Sequence, residues 1–104
     1  MDSLSIARDN AVPDATVLRL SGELDMASAP LLSEALERTA ERDVERVIVD
    51  VADLAFCDSS GLAVLMSWHE RCARGGRELV LRSPQPNLVR LLEITRIDDA
   101  IRTE

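Results

Sequence analysis

From Leu54 to Val64 the chain reads Leu-Ala-Phe-Cys-Asp-Ser-Ser-Gly-Leu-Ala-Val, which sets two adjacent hydroxyls beside a carboxylate where a strand gives way to a helix. Val47 to Val51, just upstream, is an apolar β-branched run, and Leu62, Leu65 and Met66 begin a helical stripe. Ser59 and Ser60 therefore fall at a helix N-terminus. Free N–H groups and the positive end of the helix dipole favour a phosphoryl group there, while the charge of Asp58 opposes one. A phosphoserine made and removed at this point leaves the fold intact. The same residues also spell an ordinary N-cap, an Asp-Ser pair before an apolar helix.

Other chemistries fail on inventory. The chain has neither Lys nor Tyr, which removes Schiff-base chemistry, a phosphate-loop lysine and a tyrosine acid or base. His69, the single histidine, lies ten positions beyond Ser59, about 15 Å along the same helix, too far to serve as its base. It falls in the apolar stripe and reads as a neutral, hydrogen-bonded core imidazole. Asp58 as a phosphoacceptor would resemble a response-regulator receiver, but the lysine of that pattern is missing. Asp25 and Asp58 are two carboxylates open to a divalent ion, which falls short of the ligand number such ions take. Cys57 and Cys72 stand about 20 Å apart if the helix forms, too far for a disulfide and a poor basis for zinc. Neither an enzyme nor a bound metal or cofactor is expected.

Positioning these groups falls to a regular succession of elements. Leu4 to Arg8 and Thr16 to Ser21 read as two strands of an antiparallel hairpin, with Gly22 ending the second and a loop following to Ser28. A helix runs from about Ala29 to Arg42, capped by Ser28, with Pro30 in its first turn and Leu32, Ala35, Leu36 and Thr39 on one face. Arg46 to Val51 reads as a central strand, because Val47-Ile48-Val49 is apolar without interruption. The second helix spans Ser59 or Ser60 to about Ala73, stopped by Gly75-Gly76, with Leu62, Leu65, Met66, His69, Cys72 and Ala73 on its buried stripe. Val64 and Trp68 fall outside that stripe. A strand over Glu78 to Arg82, a helix from Pro86 to Ile94 and a tail through Ile101, read as a short strand and then a turn of helix, complete an α/β layer.

Composition narrows the partners. A length of 104 residues suits one domain, and a formal charge of −7 argues against nucleic acid, which demands clustered cations. The charge is uneven: residues 1–50 carry −6 and residues 51–104 carry −1. Met1-Asp2-Ser3-Leu4 lacks the basic start of a signal peptide, and no apolar run approaches the ~20 residues that cross a bilayer. A cytoplasmic location without membrane insertion is expected.

Gly22-Glu23-Leu24-Asp25, roughly 35 residues before Leu-Ala-Phe-Cys-Asp-Ser-Ser-Gly-Leu, together with the order of elements, resembles the STAS domain of bacterial anti-sigma factor antagonists. The likeness runs from about Leu4 to Ile101. It implies a single STAS-like α/β domain over residues 1–104, with a mixed central sheet whose helices cover one face and leave the other more open. It also implies that Ser59, the first serine after Asp58, accepts the phosphate; the chemistry of the two hydroxyls does not separate it from Ser60. Asp25, Asp58, Ser60 and Gly61 then form the switch neighbourhood, although Asp25 reads equally well as a loop or cap carboxylate. Glu23, Val64 and Trp68 are expected on the partner-binding face, the alternative for the last two being packing against a neighbouring loop.

The resemblance further implies partner switching. The unphosphorylated protein binds an anti-sigma factor that is itself a serine kinase, which frees a sigma factor; phosphorylation ends the binding, and a metal-dependent serine phosphatase restores it. Similar domains also act as regulatory or scaffolding subunits of transporters and stress-signalling complexes. The Asp58-Ser59-Ser60 triplet favours the phosphoswitch.

Overall fold

The computed structural model describes residues 4–104, so the reading of Met1, Asp2 and Ser3 as unlike a leader lies outside the described residues. The chain forms β1 (Leu4–Asp9), β2 (Ala15–Leu24), α1 (Ala29–Ala40), β3 (Arg46–Cys57), α2 (Ser59–Arg74), β4 (Glu78–Arg82) and α3 (Pro86–Ile94). A 3₁₀ turn at Ile97–Asp99 and β5 (Arg102–Thr103) follow, the reverse of the strand-then-turn order expected for the tail. The strands lie in the order β1-β2-β3-β4-β5 in one sheet, with β1 antiparallel to β2 and every other pairing parallel. β3 is the central strand, as its unbroken apolar run predicts.

Alternation along the strands sorts the core. Leu18, Leu20, Val47, Val49, Leu79 and Leu81 share one cluster with Leu32 and Leu36 of α1, Leu62 and Leu65 of α2, and Leu88 and Leu92 of α3. The opposite face holds a smaller row, Ala15, Val17, Ile48 and Val80. Charged residues border that row: Arg19 reaches Asp9 at 3.2 Å and Asp50 at 4.0 Å, and Arg82 reaches Glu104 at 3.4 Å. A thickness of 20 Å, against 32 and 31 Å in the other directions, accommodates one sheet and one helix layer.

Two strands run further than the pattern predicts. Gly22 does not end β2, which continues to Leu24, and β3 continues from Val51 to Cys57. The register between them slips twice: Arg19 pairs with Asp50 but Ser21 with Asp53, and Gly22 pairs with Leu54 but Glu23 with Phe56. Each slip inserts one extra residue in β3, the signature of a β-bulge. Burial along this segment consequently repeats every third residue, at Val51, Leu54 and Cys57, instead of every second. The period-two signal is lost just where the strand enters the motif. Gly22 sits at the second slip with φ of 97°, a conformation that a side chain disfavours. The carbonyls freed by the bulges find partners at the start of α3: Gln85 Nε2 donates to Ala52 O at 2.7 Å and Asn87 Nδ2 to Ala55 O at 3.2 Å.

The buried side of α2 also differs from expectation. Gly61, Leu62, Leu65, Trp68 and Cys72 are buried, whereas Ala73 is exposed and Met66 and His69 are half-buried. The helix packs on α1 as well as on the sheet, so its covered arc is rotated toward the Gly61-Leu65-Trp68-Cys72 line at helical spacing. His69 is therefore at the edge of the core and not within it.

Candidate functional site

The two sequence motifs meet at one end of the sheet. Glu23 pairs with Phe56 and Leu24 with Cys57, and the Asp58 N–H donates to Leu24 O at 3.1 Å. The end of β2 thereby fixes the residue from which α2 springs. Asp58 is the N-cap in extended conformation, and its Oδ1 accepts from Ser60 N–H at 2.9 Å and Gly61 N–H at 3.3 Å. The capping reading of Asp58 is the one realised, and two of the N–H groups expected to be free for a phosphate are already engaged. Ser59, the first residue of α2, is exposed, while Ser60 is half-buried.

Gly61 lets the helix start come this close. A Cβ there would stand 2.5 Å from Leu24 Cγ and 3.0 Å from Cys57 Sγ. The Cys57 thiol donates to Asp58 O at 3.5 Å, and burial, reinforced by the negative charge of Asp58, pushes its pKa up to about 12. It remains a protonated thiol at neutral pH and does not act as a nucleophile. Cys72 is also a free, buried thiol, raised by burial.

Asp25 serves its own turn. Its Oδ1 accepts from the N–H groups of Ala27 and Ser28, both at 3.0 Å, which is the loop-carboxylate reading. Ser28, expected to cap α1, makes no side-chain cap bond; its Oγ accepts from Asp25 N–H and donates to Glu23 O, each at 2.9 Å. The hydroxyl is spent on holding the β2–α1 connection against the strand end. Among the described residues no group of three or more His, Cys, Asp or Glu side chains is placed to hold a metal ion.

Beside Ser60 lies an open groove of about 590 Å³ between α1 and α2, lined by Met26, Ala29, Pro30 and Val64 with Glu34 and Glu37 on its rim. Both rim acids are paired, Glu34 with Arg38 at 2.7 Å and Glu37 with Arg71 at 2.8 Å. Val64 is thus half-buried in a groove wall, and Glu23 is exposed. Trp68 is not part of the surface: at 6% exposure it is core, roofed by the Arg71 guanidinium 3.9 Å from its ring centroid. Its expected place on the partner face is corrected by the packing of α2 on α1. Met26, 77% exposed, and Phe56, 46% exposed, flank the motif instead. Met26 sits in a loop where no periodicity marks it, and Phe56 could be recognised only by an aromatic standing two residues before the cap.

Residues 7–103 match the family model described as "Mlab, STAS domain". The chain is 33% identical over 84 residues to the anti-sigma-B factor antagonist of Bacillus subtilis (strain 168), covering 81% of this chain and 76% of that one. Its fold is similar to the crystal structure of an anti-sigma factor antagonist from Mycobacterium paratuberculosis, with a TM-score of 0.87, 22% identity and coverage of 97% and 85% of the two chains. It is similar also to the Bacillus cell fate determinant SpoIIAA in its phosphorylated form, with a TM-score of 0.75, 18% identity and coverage of 96% and 91%.

Proposed function

The chain belongs to the STAS domain family, and on that premise we propose that it is a single-domain, cytoplasmic anti-sigma factor antagonist switched by phosphorylation of Ser59. The unphosphorylated form binds an anti-sigma factor that is also a serine kinase and so releases a sigma factor. Phosphorylation by that kinase ends the binding, and a metal-dependent phosphatase reverses the modification. The observation that carries this reading is the placement of Ser59, exposed at the first position of α2 and next to the apolar groove beside Ser60. Half-burial of Ser60 and engagement of the Asp58 carboxylate with two backbone N–H groups both favour Ser59 as the acceptor.

The physical mechanism is local. Phosphate adds about −1.5 to −2 charges. It enters beside Asp58, whose carboxylate already occupies the N–H groups of Ser60 and Gly61, so the new charge is directed outward to whatever docks on the groove. A partner surface must accommodate it, while the fold beneath is undisturbed. Mass spectrometry of the protein after incubation with host lysate, ATP and Mg²⁺ tests the assignment. One phosphate on Ser59 is expected; modification of Ser60 or Asp58 in its place would refute it.

A further inference from the structure

We propose that the chain carries a second site, a cleft between β1 and α1 that binds a small carboxylic acid with an apolar body. The edge strand β1 extends beyond the cover of α1 and leaves a cavity of about 460 Å³, within the ~300–1,000 Å³ of small-molecule sites. Leu4 and the half-buried Ile6 of β1, backed by the fully buried Leu18, form its floor, and Leu31 and Ala35 of α1 form a wall. Leu31 is 47% exposed there, a large apolar side chain with no cover of its own.

Polar groups gather at one end. β1 runs antiparallel to β2, and α1, the crossover between the parallel strands β2 and β3, also runs against β2. Therefore β1 and α1 point the same way, placing Leu4 near Leu31 and Arg8 near Arg38. Glu34 is the one acid in the lining and is taken up by Arg38 at 2.7 Å, while Arg8 has no carboxylate partner among the described residues. A locally positive end in a chain of formal charge −7 selects for an anion. A guanidinium presents paired N–H groups that match a carboxylate, and the apolar floor takes the remainder of the molecule. Leu31 to Arg38 covers about 10 Å of helix, roughly the length of an extended eight-carbon acid. The cleft meets the groove beside Ser60 across the crest of α1, where Glu34 borders both, but no other lining residue is shared.

Titration of the full chain with octanoate, followed by amide shifts in ¹H–¹⁵N spectra, tests the proposal, with 1-octanol as the uncharged match. Saturable shifts at Leu4, Arg8, Leu31 and Ala35 are expected, with octanol at least about tenfold weaker. Arg8→Gln, an exposed position that folding tolerates, should weaken octanoate about tenfold and leave octanol unchanged. Ala35→Phe, which fills the cleft, should abolish both. Equal affinities for acid and alcohol, indifference to Arg8→Gln, or no saturable shift at these residues would each overturn the site.

Discussion

Replacing Gly61 with alanine probes the contact that seats the switch helix. The added methyl carbon would lie 2.5 and 2.6 Å from Leu24 Cγ and Cδ2 and 3.0 Å from Cys57 Sγ. Carbon atoms rest at about 3.5–4.0 Å, so roughly 1 Å of movement is needed. Leu24 has little room to give it, being fully buried and bound through its carbonyl to the Asp58 N–H. Overpacking of this kind costs about 1–3 kcal/mol, and the greater helix preference of alanine offsets up to about 1, leaving a net loss of about 1–2 kcal/mol. Urea denaturation measures it. The diagnostic arm is a double-mutant cycle with Leu24→Ala, itself costing about 2–5 kcal/mol. In that background the new methyl enters vacated space and Gly61→Ala becomes neutral or stabilising, giving a coupling of about 1–3 kcal/mol. Strict additivity of the two substitutions would refute the proposed contact.

Trp68→Ala should cost about 3–5 kcal/mol in denaturant melts, as losses of core aromatics do, yet leave Ser59 phosphorylation of the folded protein unchanged; a surface-like cost below about 1 would return the residue to the partner face. Asp58→Ala removes the α2 cap and should cost about 0.5–2 kcal/mol, with faster amide exchange at Ser60 and Gly61; unchanged exchange there would contradict the cap. Alkaline stability offers a clean window, because without Lys or Tyr the side chains that titrate there are the two thiols. The Cys57 pKa is raised from 9.0 to about 12 on folding, so its contribution is intact below pH 9 and is lost as pH rises toward 12, the unfolded chain ionising first. Unfolding free energies measured from pH 8 upward should fall across that window, and Cys57→Ala should flatten most of the fall.

The element order as far as α3, the hairpin, the central strand and the helix-start position of Ser59 are legible because each rests on local signals: apolar runs, periodicity and cap residues; the tail, whose turn precedes its strand, is not. What the sequence concealed depends on contacts between segments distant in the chain. The β3 bulges change the burial period from two to three, so β3 looked finished at Val51 while it ran on to Cys57. Trp68 looked free because a single-face stripe ignores α1, whose Glu37 holds the Arg71 that covers the indole. Ser28 looked like a cap by type and place, but its hydroxyl is held by Glu23 and Asp25. Asp25 is ambiguous by sequence because the turn that engages its carboxylate is set by the loop's own backbone path.

The most direct test compares affinities of unmodified and Ser59-phosphorylated protein for the anti-sigma factor recovered from the host, with Trp68 fluorescence recorded on the same samples. Trp68 is the single tryptophan and lies in the α1–α2 seam, so its signal reports whether the fold survives. Phosphorylation is expected to weaken binding by about tenfold or more while the Trp68 spectrum is unchanged, and Ser59→Ala is expected to stay bound in the presence of ATP. Equal affinity of the two forms, or loss of binding together with the native Trp68 signal, would contradict the phosphoswitch.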